Sequence, residues 1–525
     1  MKHAQKSKII AVIDAETDPF VYGRIPKPFI WGFATADTYK EFYSTESLYE
    51  YLRTLKKPHL VYAHNGGKFD FHYLLNLLRP QMIKIINGRI ASFKIGKCEM
   101  RDSLLIIPRS LDSLGTGKLE IDYSLFEYEE RKEHMPEIRE YLKQDCYALL
   151  KVINRFKSEY GLSLTIAGAA LNYYETNYSK VKRTTKAFYE RIAPFYKGGR
   201  VQALKTGSFK KKMKYIDLNS AYPYVMKNRL HPSGTVLHHT RDLFKVPNDH
   251  PYFIEFEGYT EGAFPITDPV TKKTDYPTGK YTIKTTSWEY EQAIVLDLVR
   301  VDKILNIFYT AEVTNFAGYV DHFYDIRREY KDAGDKLGEQ IAKLFLNSLY
   351  GKFGANPENY NDFYIDEYNN KLIENGWNIH TEIDDKKCLY SRPTSQRQYI
   401  NVATAASITG AVRAMLIKGL HDVQNPVYCD TDSIICESTG DLTLGTELGE
   451  WDLEFLPTEA HIAAKKIYAL RDAQGNEKIS SKGFKATYND VVRLVNGETI
   501  NWKNDAPTFS LNKTSFISRN INTKS

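Results

Sequence analysis

The chain has 525 residues, of which 42% are hydrophobic and 26% charged, and its net charge is +6. A chain this long exceeds one ordinary core, so we expect several domains of a soluble globular protein. No apolar run approaches the roughly 18 residues that a membrane span needs, which excludes a membrane-embedded class. The five cysteines form no CxxC pair, which indicates a reducing compartment without structural zinc. The N-terminal apolar run turns acidic too early for a signal peptide, so we expect a cytoplasmic location, in a host cell if the protein is viral.

Four acidic residues mark the N-terminal third. The run KIIAVIDAE predicts a buried strand ending in Asp14 and Glu16, which point to one face because they are two residues apart. A Gly-Gly turn precedes Asp70, and helical apolar spacing in PEIREYLKQDCYALLKVINRF places Tyr141 and Asp145 on one face. Such carboxylates suit a two-metal phosphodiester hydrolase, because Mg²⁺ prefers oxygen ligands. Taken singly, each acid would more often be a helix cap or a solvated charge.

These motifs, DxE, N-x3-FD and YxxxD, resemble the Exo I, II and III motifs of DEDD 3′–5′ exonucleases, whose fold is RNase H-like. The resemblance implies that Asp14, Glu16, Asp70 and Asp145 hold the metal ions and that Tyr141 orients the attacking water. It also implies contacts with the frayed strand at Asn65 and Phe69, and supporting roles for Ser103, Leu104 and Lys118.

Positive charge is concentrated in residues 182–214, where eleven lysines or arginines accompany a single acidic residue. This pattern favours a polyanion partner, most often nucleic acid, with a solvated linker as the alternative. Within the segment, FYKGGR joins Tyr196 to the bend at Gly198 and Gly199, followed by Arg200. Backbone N–H groups and a ring could approach a phosphodiester chain closely there.

Three further aspartates lie at the tips of predicted strands. KYIDLNSAYP places Asp217 at the end of a strand, although it could instead cap a helix. In PVYCDTDSIICES, Asp430 and Asp432 lie between two short apolar runs that predict strands around a tight turn. A polar hairpin turn would explain this pair alone. Two like charges so close resist ionising together unless a cation joins them, and three converging carboxylates could share two Mg²⁺ ions.

Between these aspartates, YKDAGDKLGEQIAKLFLNSLYGKFG predicts a helix with apolar residues on most faces. A polar stripe runs along it, which could be only its wet face. Lysines facing acid-bound metals would meet the phosphates of a nucleotide. The stripe consists of Lys336, Gln340, Lys343, Asn347 and Tyr350.

Together these segments resemble family B DNA polymerases over nearly the whole chain. DLNSAYP is similar to motif A, KLFLNSLYG to motif B, YCDTDS to motif C, KIY to the Lys-x-Tyr motif and FYKGGR to the YxGG motif. The resemblance implies an α/β multi-domain fold in which an RNase H-like exonuclease domain precedes a right-hand polymerase with palm, fingers, small thumb and β-rich insertions. It implies Asp217 and Asp432 as the main metal ligands, assisted by Asp430, with two Mg²⁺ per active site and Mn²⁺ as a substitute.

The same resemblance assigns substrate contacts. Tyr222 would pack under the sugar and exclude a ribose 2′-OH, while Lys343 and Lys331 would grip the triphosphate. Asn347 and Tyr350 would line the nascent base pair. The primer and template would meet Tyr196, Gly198, Gly199, Arg200, Lys466 and Tyr468.

Two insertions in the polymerase half lie where the protein-primed phage branch of this family keeps its terminal-protein regions. The second resembles the insertion that encircles template and separates downstream strands there. The resemblance implies a protein-primed, strand-displacing polymerase with 3′–5′ proofreading that replicates a viral or linear-plasmid genome. The expected division is exonuclease 1–178, basic linker and first palm part 179–277, insertion 1 278–322, fingers 323–354, insertion 2 355–396, second palm part 397–482 and thumb 483–525. Primer–template DNA, dNTPs, a terminal-protein primer and a single-stranded DNA-binding protein are the expected partners of a monomer. The alternatives are a compact family B polymerase that uses only nucleic-acid primers, a reverse transcriptase and a catalytically inactive DNA-binding scaffold.

Overall fold

The computed structural model describes residues 8–117, 119–395 and 397–523. Sheets and helices alternate along this part of the chain, so the predicted α/β multi-domain class is confirmed. No helix within it is long and apolar enough to cross a membrane.

The N-terminal region is a sheet flanked by helices. KIIAVIDAE forms the first strand as predicted, and it is almost wholly buried because most of its residues are apolar. The elements are β1 (Ile9–Thr17), β2 (Pro28–Ala34), β3 (Tyr39–Phe42), α1 (Thr45–Thr54), β4 (His59–Ala63), α2 (Asp70–Leu74), β5 (Gln81–Ile86), β6 (Arg89–Ile95), β7 (Cys98–Asp102), α3 (Arg131–Tyr160) and α4 (Ile166–Asn177).

Helix α3 packs on β1 and β2. Its predicted apolar positions, Ile138, Leu142, Leu149 and Ile153, are all buried. Strand β1 lies between β4, to which it is parallel, and β2, to which it is antiparallel. The acidic strand β1 is thus an interior strand of the sheet, and α3 packs on it.

The basic segment is folded and is not an open linker. Several of its cations are paired, as Lys182 is with Glu312 and Lys211 with Glu437. It leads into the first part of the palm. The elements are α5 (Lys186–Ile192), β8 (Val201–Ala203), β9 (Gly207–Phe209), β10 (Lys214–Leu218) and α6 (Ala221–Asn228).

A β-rich module follows the first part of the palm. Its elements are β11 (His231–Pro232), β12 (His238–Thr240), β13 (Tyr252–Glu261), β14 (Ile266–Thr267), β15 (Thr274–Asp275), β16 (Thr278–Thr286), α7 (Ser287–Val295), β17 (Val299–Tyr309) and β18 (Val313–Thr314). The main sheet has the order β12-β17-β13-β16. Because β12 and β13 precede residue 278, this sheet is larger than the insertion predicted at 278–322.

Two helices form the fingers, α8 (Ala317–Asp332) and α9 (Lys336–Phe353). The side chain of Asp335 caps α9 by accepting a hydrogen bond from the Gly338 N–H at 3.0 Å. Arg155 of α3 also binds Asp335, at 2.7 and 2.6 Å. The turn between α8 and α9 is therefore tied to helix α3 of the N-terminal region.

The second predicted insertion contains the expected hairpin. Its elements are β19 (Asn361–Glu367), α10 (Asn370–Glu374), β20 (Asn378–Glu382) and β21 (Lys387–Pro393). Strand β19 pairs antiparallel with β5, which makes one ten-stranded sheet of order β20-β21-β19-β5-β6-β7-β4-β1-β2-β3. Phe363, Ile365 and Leu389 of the insertion join the apolar core of the N-terminal region. This attachment was not predicted.

The rest of the chain completes the palm and forms a small thumb. Its elements are α11 (Val402–Asp422), β22 (Tyr428–Asp430), β23 (Ser433–Cys436), β24 (Trp451–Phe455), β25 (Glu459–Ala464), β26 (Ile467–Arg471), β27 (Glu477–Ser481), α12 (Tyr488–Val495), β28 (Ile500–Lys503), β29 (Thr508–Phe509), β30 (Thr514–Ser515) and β31 (Ser518–Ile521). The palm sheet has the order β24-β10-β23-β22-β8, and a second sheet has the order β27-β26-β25-β9.

Candidate active sites

The palm sheet brings together two acidic segments that are distant in sequence. Strand β10 pairs with β23, which places Asp217 opposite Ser433. The turn between β22 and β23 contains Thr431, whose φ of +62° is left-handed. It also contains Asp432, whose carbonyl oxygen accepts a hydrogen bond from the Leu218 N–H at 2.7 Å. The structure therefore places Asp217 on the strand next to the motif C turn.

Burial and a nearby like charge disfavour the ionisation of two of these carboxyl groups. Burial raises the pKa of Asp217 to about 7, and the charge of Asp432 adds to the effect. The pKa of Asp432 is raised to about 6, first by burial and then by Asp430. Within the described ranges, no basic side chain forms an ion pair with Asp217 or Asp432. A bound divalent cation would let both groups ionise, so this pair fits a metal site.

Asp430 has a different environment from the other two aspartates. The ammonium group of Lys466 lies 2.8 Å from one oxygen of the Asp430 carboxylate and 3.0 Å from the other. The backbone N–H of Lys466 also donates to the Tyr428 hydroxyl at 2.9 Å. The motif C turn and the Lys-x-Tyr segment are therefore held together.

Helix α9 presents its polar stripe next to the palm. Lys343 is near enough that its charge slightly opposes the rise in the pKa of Asp217. Asn347 is exposed, and Lys343 is half-buried. Lys331 is exposed near the C-terminal end of α8.

The two predicted nucleotide-binding tyrosines form a stack. The rings of Tyr222, from α6, and Tyr350, from α9, have centroids 4.2 Å apart and planes 3° apart. This pair joins α6 to α9, and both rings lie within electrostatic range of Asp432.

The YxGG loop is docked on the motif C turn. The Thr431 N–H donates to the Arg200 carbonyl at 2.6 Å, and a Cβ atom on Gly199 would lie 2.7 Å from Thr431 Oγ1. Gly198 faces open space, where a strand could approach its backbone. The side chain of Arg200 is turned inward, because Arg200 is 7% exposed and lies over the Tyr276 ring at 4.2 Å. The predicted contact with DNA through this guanidinium stays a prediction.

Two other predicted DNA contacts are aromatic residues that pack mainly inside the protein. Tyr196 lies against Gly354, where a Cβ atom would come within 2.5 Å of its ring. Tyr468 is 6% exposed, and its ring centroid lies 4.9 Å from that of Tyr428. If these two tyrosines influence DNA binding, they therefore do so through the small accessible parts of their rings or by shaping the loops that contact DNA.

A buried ion pair that the sequence interpretation missed supports the same loop. Arg413 of α11 and Glu289 of α7 are each 1% exposed in their side chains and lie 2.7 Å apart. Arg413 also donates to the carbonyl oxygens of Lys197 and Gly198, at 2.5 and 2.8 Å. The available signal was one arginine in the apolar run ASITGAVRAML, because a buried arginine requires a partner.

The second acidic site lies between β1 and α3. Asp14, Glu16 and Asp145 each offer a carboxylate oxygen, and these oxygens lie within 4.8 Å of one another. Asp70, at the start of α2, is 1% exposed, and burial followed by the charge of Asp14 raises its pKa well above the ordinary range. Its Oδ1 atom is buried without a hydrogen-bond partner among the described residues. An all-oxygen donor set with such an atom fits a hard divalent cation.

Aromatic residues border this site. The hydroxyl groups of Tyr141 and Tyr123 lie 3.0 Å apart, and burial raises the pKa of Tyr141. Phe69 makes edge contacts with Tyr73 and with Phe509 of the thumb, at centroid distances of 5.6 and 5.3 Å. Thumb and exonuclease region therefore meet beside the predicted strand-binding residue.

The remaining predicted exonuclease residues support the same region. Asn65 adopts a φ of +64°, and its side-chain carbonyl accepts a hydrogen bond from Arg89 at 2.7 Å. Ser103 donates to the Ala63 carbonyl at 3.2 Å. The backbone N–H of Leu104 donates a hydrogen bond to the carboxylate of Asp102 at 3.0 Å. Lys118 lies outside the described residues.

The geometry of two separate acidic sites agrees with the comparisons with known proteins. Residues 118–443 match the model of the family described as DNA polymerase type B, organellar and viral. The chain is 37% identical to the DNA-directed DNA polymerase of Enterobacteria phage PRD1, over 98% of this chain and 97% of that protein. It is 24% identical to a probable DNA polymerase of Agaricus bitorquis, over 89% and 74% of the two chains.

The fold is similar to that of a solved structure, phi29 DNA polymerase complexed with primer-template DNA. The TM-score is 0.76 at 16% identity, and the match covers 98% of this chain and 100% of the other. This likeness confirms the predicted fold class. By the extent of the family match and its identity to the phage enzyme, the chain belongs to the organellar and viral type B DNA polymerases, and it is a DNA-directed DNA polymerase.

Proposed function

We propose that this polymerase also proofreads with a 3′–5′ exonuclease and that it begins synthesis on a terminal protein. The observation that carries the proposed exonuclease is the presence of two acidic sites on different sheets. One is built from Asp217 and Asp432 in the palm, and the other from Asp14, Glu16 and Asp145 between β1 and α3.

For synthesis, the 3′-OH of the primer attacks the α-phosphate of a dNTP in line, and pyrophosphate leaves. Asp217 and Asp432 would hold the metal ions, Lys343 and Lys331 would bind the triphosphate, and Tyr222 would exclude a ribose. Asn347 and Tyr350 would line the nascent pair. The primer end would meet Lys466, Tyr468 and the loop of Tyr196, Gly198, Gly199 and Arg200.

For proofreading, a water molecule oriented by Tyr141 attacks the terminal phosphodiester, and the 3′-OH of the shortened strand leaves. Asp14, Glu16, Asp70 and Asp145 would hold the metal ions, and Asn65 and Phe69 would bind the frayed strand. Ser103, Leu104 and Lys118 would support them. In both sites a bound divalent ion, Mg²⁺ with Mn²⁺ as a substitute, would neutralise charge and lower the pKa of the attacking hydroxyl or water.

The substrates and partners follow from the same proposal. Phi29 DNA polymerase has been solved with primer-template DNA, and we propose the same ligand here, together with dNTPs. The insertions 278–322 and 355–396 support protein priming, because they lie where the protein-primed branch keeps its terminal-protein regions. The domain boundaries stated for the sequence are proposed with them, as is help from a single-stranded DNA-binding protein.

Single substitutions in the two sites test the assignment. Asp432→Ala should abolish primer extension and leave degradation of a labelled single strand at the wild-type rate. Asp14→Ala should abolish degradation and leave extension. Asp441→Ala and Asp37→Ala change exposed aspartates outside the two sites and should affect neither activity. Loss of both activities from either catalytic variant, with the fold intact, would refute two independent sites.

A further inference from the structure

The contact between the motif C turn and the Lys-x-Tyr segment gives one aspartate a separate task. We propose that Asp430 is a positioning residue that fixes Lys466 for the primer end, and that it does not bind the metal ions. This inference rests on the proposed function of the palm site. It assigns different roles to the two aspartates of YCDTDS.

The acceptor capacity of the Asp430 carboxylate is already used. An ionised carboxylate offers about four lone-pair sites. Lys466 Nζ donates to both oxygens, the Thr431 hydroxyl donates to Oδ1 at 3.0 Å, and the Tyr428 hydroxyl approaches Oδ2 at 3.4 Å. A metal ion could bind this group only by displacing several donors.

The backbone of Lys466 is fixed as well as its side chain. Its N–H donates to the buried Tyr428 hydroxyl, and its φ is +62°. The pairing of β25 with β26 shifts register just before this residue, between Ile462 and Ala464. L-residues adopt the left-handed backbone conformation at a cost in free energy. Lys466 therefore keeps it only because the surrounding hydrogen bonds hold the residue in place.

The other two palm aspartates contrast with Asp430. Among the described residues, Asp217 and Asp432 have no basic partner within ion-pair distance, whereas Asp430 has one. Of the three palm aspartates, Asp217 and Asp432 are thus the two with which no lysine or arginine of the described residues pairs.

Holding the lysine in place has a direct benefit for DNA binding. A long lysine side chain loses rotamer freedom when it binds a ligand, so fixing it in advance lowers the cost of binding a phosphate. The Lys466 side chain remains 39% exposed while paired, against 19% for Asp430. Its free surface is therefore available to the terminal phosphodiester of a primer.

Metal binding provides the first test. Mn²⁺ binding is measured by electron paramagnetic resonance on the DNA-free full chain, with the exonuclease site silenced by Asp14→Ala and Asp70→Ala. We expect Asp432→Asn to weaken Mn²⁺ binding by about tenfold or more, and Asp430→Asn to change it by less than about twofold. An equal loss in Asp430→Asn and Asp432→Asn would overturn the proposal. So would tighter Mn²⁺ binding in Lys466→Met, since Lys466 would then merely stand in for a metal.

Primer binding provides the second test. Affinity for a fluorescent primer–template is measured in EDTA, so that metal ions do not contribute. We expect Asp430→Asn and Lys466→Met each to weaken binding by about fivefold, and the double variant to be no weaker than either. The neighbouring Lys465, an exposed residue paired with Asp275 at 3.1 Å, supplies the control Lys465→Met, which should match the wild type.

The outcomes separate this inference from the proposed function. If the double variant lost primer–template affinity by the product of the two single losses, Asp430 and Lys466 would act independently, and the inference would be overturned. Wild-type protein that neither binds primer–template nor extends it would instead refute the proposed function. Single-strand degradation by the exonuclease-proficient variants, at the wild-type rate, shows that they are folded.

Discussion

At the scale of single residues, the stack of Tyr222 on Tyr350 is the feature nearest to substrate choice. Burial raises the pKa of Tyr222 to about 12, so its phenol stays neutral at the pH of the cell. A neutral ring that lies flat on a second ring acts through its shape. Under the proposed function, the sugar of a dNTP would lie against this ring, and an additional 2′-OH would clash with it.

Replacing Tyr222 should therefore change sugar selectivity. Tyr222→Val is expected to raise the kcat/KM ratio for rNTP over dNTP incorporation by about 10- to 200-fold, the range for relieving a clash of a few atoms. Tyr222→Phe keeps the ring and should keep the selectivity. Single-nucleotide incorporation kinetics measure both, and an unchanged ratio in Tyr222→Val would remove Tyr222 from this role.

Residues differ in how far the sequence could predict them. Asp14, Glu16, Asp217 and Asp432 could be found because short motifs place them at strand ends. The pairing of Arg413 with Glu289 could not, because its partners come from separate helices and no local pattern records their approach. The tie between Asp430 and Lys466 was missed for the same reason.

At the scale of elements, a buried histidine joins three helical segments. His231 follows α6, and its Nε2–H donates to the Val225 carbonyl at 2.9 Å. Its Nδ1 lies 2.9 Å from the Ser407 hydroxyl of α11, which also accepts a hydrogen bond from Trp288 of α7 at 2.8 Å. This chain of bonds requires a neutral imidazole with an unprotonated Nδ1.

The stability of the palm should consequently depend on acid pH. Burial lowers the pKa of His231 to about 4, from an ordinary value near 6.5. Between these values the unfolded chain binds the proton more readily, so the free energy of unfolding falls as pH falls, by about 2 kcal/mol at pH 5. The midpoint of thermal unfolding should drop less between pH 7 and pH 5 in His231→Gln than in the wild type.

Replacing an exposed histidine is the control for the His231→Gln measurement. His421 is exposed at the end of α11, so His421→Gln should show the wild-type pH dependence. Identical slopes for His231→Gln and the wild type would mean that His231 does not supply the pH dependence.

Elements with a local pattern were predicted well. Strand β1, helix α3, helix α9 and the hairpin of β22 and β23 follow from apolar spacing within each segment. The pairing of β19 with β5 was not predictable, because any exposed strand edge can accept another strand and the sequence does not specify which.

At the scale of the whole molecule, that pairing joins the second insertion to the exonuclease region. Three apolar side chains of the insertion, Phe363, Ile365 and Leu389, are buried in the N-terminal core. Burying each of these side chains stabilises the contact by about 1.5–3 kcal/mol. Separating β19 from β5, the contact that we call the seam, would therefore be costly in every catalytic cycle. The side chain of Lys387 also donates to backbone carbonyls of the exonuclease region, including that of Leu78 at 2.8 Å. We therefore expect the seam to stay closed while DNA passes.

A cross-link tests whether the seam opens. Met82 and Tyr364 are directly opposite each other in β5 and β19, and opposed residues of antiparallel strands lie within disulfide range. The oxidised Met82→Cys, Tyr364→Cys variant should extend a primer on a single-stranded circle as far as the reduced form does, to many circle lengths. Each single cysteine variant, oxidised in the same way, is the control.

The length of the product separates the possible results. A product of one circle length from the oxidised form alone would mean that the insertion must leave the exonuclease region during strand displacement. One circle length from both forms and from the wild type would mean that the enzyme does not displace strands unaided, which favours the primer-using branch. Disrupting the seam with Ile365→Asp should shorten the product while leaving the filling of a short gap intact, because the closed seam would serve only to hold the insertion against downstream duplex.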